Sequence, residues 1–354
     1  MNKKLLAFAV AAAFAAPMVA NADSGNVQIG GVVKMSVDSL DDGDTRNWNV
    51  STNSSNIWFK GSEDLGNGLK AVWQMTNYIG MGDTGKETNT WTSGNSFAGL
   101  AGGFGTVVLG KHDTPFKILG RKVDLFSDQI GDSRNMISVG GAGWDLRPDN
   151  VIAYISPTYS GFHAAVAHVT NVTKVGDGAA GKGAATDTTV DAWSALGIYE
   201  NGPITAGLAY ERHNLSNTAS NVNDEDAWRV AGGYNFGAGK VNALWQRVND
   251  IGGGNSDRST WSLGGSLKVG SGDAKLQYTR AGDISSTSET GANMWSLGYD
   301  HHLSKRTDVY AAVAKTSNDT AAAFSAYGGG HGDNPGIIAG QSGTGFSLGM
   351  THSF

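Results

Sequence analysis

The chain contains no cysteine, so disulfide bridges and thiolate metal ligands are excluded. Proline is scarce, with 6 residues, whereas glycine is abundant, with 52. Because proline removes hydrogen bonds from a sheet and glycine permits tight turns and close strand packing, this balance favours β structure. The 26 basic and 32 acidic residues include no basic block, so nucleic acid is not an expected partner.

Long apolar runs are also missing after the N-terminus, and no transmembrane helix is predicted. Residues 1–22 fit an export signal. Lys3 and Lys4 precede a 12-residue apolar core at 5–16, and an Ala-x-Ala cleavage site follows at 20–22. The alternative is a short transmembrane helix, which would need about 20 apolar residues to cross a bilayer. We therefore expect an exported chain comprising residues 23–354.

Alternation of apolar and polar residues is the dominant pattern that is present. In one segment, Trp261, Leu263 and Leu267 share one face, and Ser262 and Ser266 share the other. Sixteen such segments occur, near 27–38, 55–64, 69–79, 93–102, 104–112, 149–157, 161–170, 191–200, 203–213, 226–236, 240–249, 259–269, 273–282, 293–302, 307–317 and 343–354.

The connections between these segments alternate between short and long. Seven short turns alternate with eight long connections, among them 39–54, 80–92 and 113–148. Outer-membrane barrels have short periplasmic turns and long external loops, and sixteen strands leave an aqueous lumen. The sequence therefore predicts an all-β protein, a transmembrane antiparallel barrel of sixteen strands formed by residues 23–354.

Several segments, in the same order, resemble the general trimeric porins of Gram-negative bacteria, especially those of β-proteobacteria. The segments are FKGSEDLGNGLKA at 59–71, SFAGL at 96–100 with GTVVLGK at 105–111, NVIAYISP at 150–157, and LGYD at 297–300 with LSKRT at 303–307. The resemblance covers the whole exported chain. It implies an outer-membrane homotrimer, in contact with lipid and lipopolysaccharide, through which small hydrophilic solutes and ions diffuse passively. The loop near 80–92 is then expected to reach a neighbouring subunit.

The last twelve residues alternate and end in Phe354. The terminal strands of outer-membrane barrels commonly end in this way. By resemblance, this strand is an assembly signal read by the barrel-insertion machinery.

The connection 113–148 resembles the porin loop that folds into the barrel and narrows the pore. It carries five basic and five acidic residues. Opposed charges across a narrow pore set ion selectivity. The candidate constriction residues on this connection are Arg121, Lys122, Asp124, Asp128, Asp132, Arg134 and Arg147. The alternative is that they are ordinary solvated loop charges.

Three bases are expected on the side of the constriction that faces these acids: Lys60 matches a porin lysine, Lys34 lies on the polar face of the first strand, and Arg147, at the end of the connection, matches a pore arginine of the family. We expect these three to face the acids of the loop, above all Asp124, Asp128 and Asp132. Asn56 and Gly94 stand where relatives have arginines. The wall is thus less basic than the family pattern, and modest selectivity is expected.

Catalytic patterns are lacking. None of the eight histidines has metalloprotease spacing, and no G-x-S-x-G occurs, so neither an enzyme nor a cofactor is expected. The acidic clusters at 38–44 and 224–226 could bind divalent cations, although solvated external loops are the simpler interpretation. Alternative functions are a substrate-specific porin for an anion or a sugar, and a structural or adhesive surface barrel.

Overall fold

A computed structural model describes residues 26–82, 91–138, 143–172, 190–215 and 223–354. The predicted export signal lies outside these residues. The strands are β1 Asn26–Asp41, β2 Arg46–Thr52, β3 Asn56–Gly66, β4 Leu69–Tyr78, β5 Ser96–Gly102, β6 Gly105–Lys111, β7 Val151–Ile155, β8 Phe162–Val169, β9 Ala192–Asn201, β10 Ile204–His213, β11 Glu225–Asn235, β12 Gly239–Asn249, β13 Arg258–Val269, β14 Gly272–Ala281, β15 Ala292–His302, β16 Thr307–Asn318 and β17 Thr344–Ser353. The helices are α1 Pro115–Val123, α2 Arg134–Ile137 and a 3-10 turn at Ile251–Gly253.

Among the described residues, no helix combines the length and the apolar character needed to cross a membrane.

All strands belong to one antiparallel sheet that closes on itself. The last strand, β17, pairs with β1 from Val32 opposite Ser353 to Asp41 opposite Thr344. On its other edge, β1 pairs with both β2 and β3, which are therefore two halves of a single barrel strand. The barrel thus has sixteen strands, which confirms the predicted number.

The predicted long connection at 39–54 is wrong. Strand β1 continues to Asp41, a turn at 42–45 follows, and β2 forms the return strand. Trp48 and Val50 do alternate with asparagines in β2, but the Asp- and Asn-rich composition obscured this alternation. The strand is interrupted at 53–55, where Ser54 adopts a φ of 60° and the Asn53 amide donates to Ser36 Oγ at 2.8 Å.

The alternation of side chains separates the two faces of the wall, as period-2 patterning requires. On β13, Trp261, Leu263 and Leu267 are exposed outward, with 42%, 57% and 54% of their surface accessible. Thr260 and Ser262 point inward and are buried. Apolar groups therefore cover the outer surface, and polar groups line the lumen.

The predicted short turns are tight. Between β3 and β4, for example, the turn places Gly66, Asn67 and Gly68 at φ values of 86°, 52° and 77°. These left-handed conformations suit glycine and asparagine, which explains the Gly-Asn-Gly sequence.

Candidate pore constriction

The connection 113–148 is called here the inner loop, and its described residues, 113–138 and 143–148, lie inside the barrel. Phe116 and Leu119 of α1 are completely buried in one apolar cluster with Leu196 and Ile198 of β9. Trp193 is exposed on the opposite face of β9. Because neighbouring side chains along a strand alternate between faces, the cluster lies on the lumen side.

Helix α1 begins with a standard cap. Thr114 Oγ1 accepts a hydrogen bond from the backbone amide of Lys117 at 3.3 Å, and Pro115 occupies the first helical turn with its φ already set. The apolar side of the helix packs against β9 to β12.

Polar side chains of the wall attach the inner loop from β9 around to β15. The bonds are Phe116 N to Ser194 Oγ at 3.0 Å, Asn242 Nδ2 to Val123 O at 2.8 Å, Leu125 N to Gln277 Oε1 at 3.1 Å, Lys275 Nζ to Gln129 Oε1 at 2.7 Å, and Ser296 Oγ to Gly131 O at 3.0 Å. Each bond satisfies a polar group that would otherwise be left without a partner.

A buried ion pair fixes the two ends of the loop, and the sequence did not indicate it. Arg229 on β11 is fully buried and lies 2.5 Å from the Asp145 carboxylate. Its guanidinium also donates to Phe116 O at 2.9 Å and to Gln246 Oε1. The only sequence signal was an arginine on an inward position between alternating apolar residues.

Three cations converge on Asp128. Arg121 donates to both carboxylate oxygens, at 3.2 and 2.9 Å, and Arg134 donates at 2.7 Å. Lys34 Nζ lies 3.6 Å away and donates to Ser127 O at 2.8 Å. Burial alone would raise the pKa of Asp128, but Arg121, Lys34 and Arg134 hold it well below its ordinary value.

Asp124 and Asp132 form a second carboxylate pair beside this cluster. Burial, followed by the negative charge of Asp132, raises the pKa of Asp124 to about 8. Asp132 is fully buried but remains ionised, because Arg134 offsets the burial and lowers its pKa. Asp124 accepts hydrogen bonds from Phe126 N at 3.0 Å and Gln277 Nε2 at 3.0 Å. At neutral pH the pair therefore holds one proton.

Arg147 lies at the base of the inner loop and pairs with Asp113 rather than with the acids further along. Its Nε lies 2.8 Å from Asp113 Oδ1 and 3.0 Å from Asn95 Oδ1. Lys117 shares Asp113 at 2.8 Å, and the Arg147 guanidinium lies 5.0 Å from the Tyr78 ring centre. Arg147 faces an acid of the loop, but a different one from those expected.

The two remaining candidates lie apart from the Asp128 cluster. Lys60 Nζ lies 4.5 Å from the Trp58 ring centre and forms no ion pair with any residue that the structure describes. Lys122 pairs with Glu200 of β9 at 2.7 Å. The structure thus brings Lys34, Arg121, Asp124, Asp128, Asp132 and Arg134 together and leaves Lys60, Lys122 and Arg147 at separate points of the lumen.

A second connection also enters the lumen, which the sequence did not predict. The segment 319–343, called here the end loop, meets the inner loop directly. Its bonds to the inner loop are Gly131 N to Ala326 O at 2.7 Å and Gly329 N to Asn135 Oδ1 at 2.6 Å. Ser54, between β2 and β3, also donates from Oγ to Gly330 O at 2.9 Å. The sequence signal for its inward position was a pair of aromatic residues, Phe324 and Tyr327, in a long connection. Both are buried in the structure.

Contacts with the end loop show that the acidic cluster at 38–44 is not simply a solvated external loop. Asp38 belongs to β1 and is fully buried, 3.0 Å from Nε2 of the equally buried His331. Asp42 accepts bonds from the amides of Asp44 and Thr45 within its own turn. The cluster is therefore divided between the lumen and a turn.

The acidic run at 224–226 is divided in the same way. Glu225 is fully buried and bonds His213 Nδ1 at 2.8 Å, whereas Asp224 pairs with Arg212. Within the described part of the chain, no group of three His, Asp or Glu side chains is arranged to hold a metal ion.

Arg121 is the most accessible member of the Asp128 cluster. Its side chain is 30% exposed, against 14% for Lys34 and 13% for both Arg134 and Asp128. The cation of the cluster that is most exposed to the lumen is therefore a guanidinium that two bonds to the Asp128 carboxylate hold in a fixed position.

The sequence matches the family of Gram-negative porins over residues 7–321. It is 32% identical to the outer membrane porin protein 32 of Delftia acidovorans, over 100% of both chains. It is also 36% identical to the major outer membrane protein P.IB of Neisseria gonorrhoeae, over 47% of each chain.

Solved structures show the same architecture. An anion-selective porin from Comamonas acidovorans superposes with a TM-score of 0.78 at 29% identity, covering 94% of this chain and 100% of the other. OmpT, an outer membrane protein of Vibrio cholerae, superposes with a TM-score of 0.70 over 96% of this chain and 100% of the other. At 14% identity, the second likeness concerns the fold alone.

Proposed function

The chain belongs to the Gram-negative porin family and forms a passive diffusion channel in the outer membrane, and from this premise we propose that its constriction gives a modest preference for anions. The constriction consists of the Asp128 cluster, with Lys60, Lys122 and Arg147 acting at other points of the lumen. Family membership implies a channel rather than an enzyme. The observation that carries the proposal is the convergence of three cations on Asp128.

The charges of the cluster do not balance. Lys34, Arg121 and Arg134 contribute three positive charges, and Asp128 and Asp132 contribute two negative charges. Asp124 is neutral at pH 7 because its pKa is about 8. The net charge of the cluster is therefore 3 − 2, or +1, which favours anions.

The preference is modest because the cations are already paired. An ion in the pore meets a charge that a carboxylate has largely compensated, and salt screens it over about 8–10 Å. Asn56 adds no charge to the wall and only donates to Ser54 O at 2.9 Å. The likeness to an anion-selective porin supports the same sign.

The test is the reversal potential of single channels in a salt gradient. R121Q removes the most exposed cation of the cluster and should shift the potential toward cation preference. The control is R247Q, because Arg247 is also an arginine in an ion pair, with a side chain 44% exposed, but lies on β12 two residues after the outward Trp245. If R121Q and R247Q gave the same potential as the native channel, Arg121 would not act on permeating ions.

We further propose a homotrimer whose subunits meet at β1 to β5. The outward positions of β1 and β3 there are small or apolar, including Ile29, Gly31, Phe59 and Gly61. Contacting pairs of aromatic rings form a band on the outward face from β8 to β15. Such a band marks a lipid interface. The loop near 80–92 lies largely outside the described residues, so its contact with a neighbouring subunit stays a prediction.

The mass of the native complex tests this assembly. Three protomers are expected. A charged substitution in the apolar seam, Ile29→Lys, should reduce the complex to monomers. A matched change at Leu208, which is outward on β10 and 47% exposed, should leave the trimer intact. Monomers from the native protein would contradict the proposal.

A further inference from the structure

The outward face of the barrel carries a regular row of basic residues just beyond the aromatic band. Arg212, Arg247 and Arg280 each follow an outward aromatic residue by two positions, and Lys315 follows Val313 in the same way. These four residues, called here the basic row, lie on β10, β12, β14 and β16. All four strands run from a short turn toward a long connection, so the basic row lies on the external side of the aromatic band.

The strand register gives the row a constant stagger. Tyr210 lies opposite Trp228, which lies opposite Arg247. The same step leads from Trp245 through Trp261 to Arg280, and from Tyr278 through Trp295 to Lys315. Barrel strands are staggered at a fixed rate. The repeated step therefore places the basic residues along one line that follows the rim.

The aromatic band fixes the height of this line. The ring centres of Tyr210 and Trp228 lie 4.6 Å apart, and those of Tyr278 and Trp295 also lie 4.6 Å apart. Aromatic girdles lie at the boundary between hydrocarbon and headgroups. Two residues further along a strand is about 6–7 Å, which places the basic row among the headgroups of the outer leaflet.

The charges of the row are available to a ligand. The side chains of Arg212, Arg247 and Arg280 are 49%, 44% and 33% exposed. Each pairs with one aspartate, but exposed ion pairs are weak and can be exchanged for a stronger partner. Lys315 is exposed and forms no ion pair within the described part of the chain.

We propose that the basic row binds the phosphates of lipid A, the phosphorylated glycolipid anchor of lipopolysaccharide in the outer leaflet. Guanidinium groups bind phosphate through two parallel hydrogen bonds, which suits three of the four positions. The acyl chains of the same lipid would lie against the exposed indoles of Trp245 and Trp261 below the row. This inference rests in part on the proposed trimer, because that arrangement leaves β8 to β16 facing lipid.

Arg46 provides a matched control. It lies at the start of β2, within the strands β1 to β5 where we place the subunit contact rather than lipid, and pairs with Asp41. Its side chain is 44% exposed and that of its partner 32%, the same values as for Arg247 and Asp257. R46Q therefore removes an equivalent exposed ion pair outside the basic row.

The experiment is native mass spectrometry of the detergent-purified protein, titrated with bisphosphorylated lipid A or with the same lipid after removal of its phosphates. The double variant R247Q/R280Q should bind bisphosphorylated lipid A about tenfold more weakly or worse, since it loses two charge-assisted phosphate contacts. The R46Q variant should bind like the native protein, and R247K/R280K should keep part of the affinity. The phosphate-free lipid should bind the native protein as weakly as phosphorylated lipid binds the double variant.

Several results would overturn the inference. These are equal binding by native protein and R247Q/R280Q, equal loss in R46Q, or equal affinity for the two lipids. A double variant that dissociates to monomers would instead identify the row as a subunit contact, which also overturns it. The mass reports the number of protomers and of bound lipids together, so a failure of the trimer proposal is seen separately from a failure of lipid binding.

Discussion

Lys34 and Asp128 connect the first strand of the barrel to the inner loop, with 3.6 Å between ammonium and carboxylate. The same ammonium donates to the backbone oxygen of Ser127 at 2.8 Å, so the loop is held from the side opposite its attachments to β9 to β15. Asp128 has a φ of 60°, a left-handed conformation that is uncommon for residues other than glycine. The position of the charges in the proposed constriction is therefore set by contacts on both sides of the lumen.

Neutralising Asp128 should increase the anion preference. D128N keeps the size of the side chain and an oxygen acceptor for Arg121, but raises the net charge of the cluster from +1 to +2. One unit charge at the edge of a narrow aqueous pore changes the ratio of anion to cation permeability by roughly twofold to fivefold at low salt. The reversal potential in a salt gradient measures the change.

The control for this prediction is D319N. Asp319 is also paired with an arginine, Arg280, at 3.5 Å, but that pair includes the outward basic row rather than the pore. An equal shift in both variants would show that the effect is not local to the constriction.

Raising the pH through about 8 should weaken the anion preference, since Asp124 has a pKa of about 8 and gains a negative charge there. Burial also lowers the pKa of Lys117 to about 8, so this side chain loses a positive charge in the same range. Both changes make the lumen more negative. The reversal potential recorded at about pH 10 should therefore indicate a weaker preference for anions than the one recorded at about pH 6.

The variant D124N separates the two contributions. It should remove the Asp124 part of the pH dependence and leave the Lys117 part. The elevated pKa of Asp124 also predicts that stability from this group is complete below about pH 4, the unfolded value, and is lost as pH rises toward 8. A midpoint of thermal unfolding in D124N that keeps the full native pH dependence would contradict this assignment.

Removing Arg229 should free the inner loop without opening the barrel. R229M leaves the buried Asp145 carboxylate and the Phe116 carbonyl oxygen without their partner. Breaking a buried pair in this way costs about 3–5 kcal/mol. Single-channel currents should become noisy, and protease should cut within 113–148, while the heat-stable strand signal in circular dichroism persists. Quiet channels in R229M would show that the wall bonds alone hold the loop.

The matching control is R229M/D145N, in which the uncompensated charge is also removed. Noise and proteolysis should both return part of the way toward native values, since much of the cost is the unpaired carboxylate. If the double variant were as noisy and as easily cleaved as R229M, the effect would come from the lost contacts with Phe116 and Gln246 instead.

The sequence predicted the wall better than the lumen, for a physical reason. Alternation is imposed locally by lipid on one side and water on the other. A segment such as 259–269 is therefore predicted as a strand from its own residues alone. The inward position of the end loop instead depends on Asp38 meeting His331 and on Gly131 meeting Ala326, contacts between distant parts of the chain. Arg229 and Asp145 are likewise separated by 84 positions, and no local pattern connects them.

The second barrel strand, which is divided into β2 and β3, shows a different error in the prediction. The segment 46–52 has the alternation of a strand, but its Asn, Ser and Thr content is typical of a loop. Its backbone pairs with β1, and only the interruption near Asn53, whose amide bonds Ser36 and Tyr310, is irregular. For this segment, the period-2 alternation predicts the structure better than the amino-acid composition does.

Replacing Phe354 should separate barrel closure from recognition during assembly. Phe354 N donates to Gly31 O at 3.1 Å, and Gly31 N donates to Phe354 O at 3.2 Å, so the last residue extends the β1–β17 ladder. Its ring lies over Gly31, where a Cβ atom would approach within 2.7 Å. The backbone pair does not need the ring. F354A should therefore refold in detergent into a closed, heat-stable barrel, because only one side chain, already 49% exposed, is lost.

In cells the same variant should reach the outer membrane less efficiently than the native protein, if the ring is what the insertion machinery recognises, whereas F354W should behave as native. The control is F162A, which removes an outward phenylalanine, 61% exposed, from β8, and it should insert normally. Cell fractionation and the fraction of heat-modifiable barrel on gels give the two readouts. Equal insertion of F354A and native protein would remove the assembly-signal role and leave Phe354 as a closing residue. Equal loss in detergent and in cells would instead place the whole effect in the contact between the ring and Gly31.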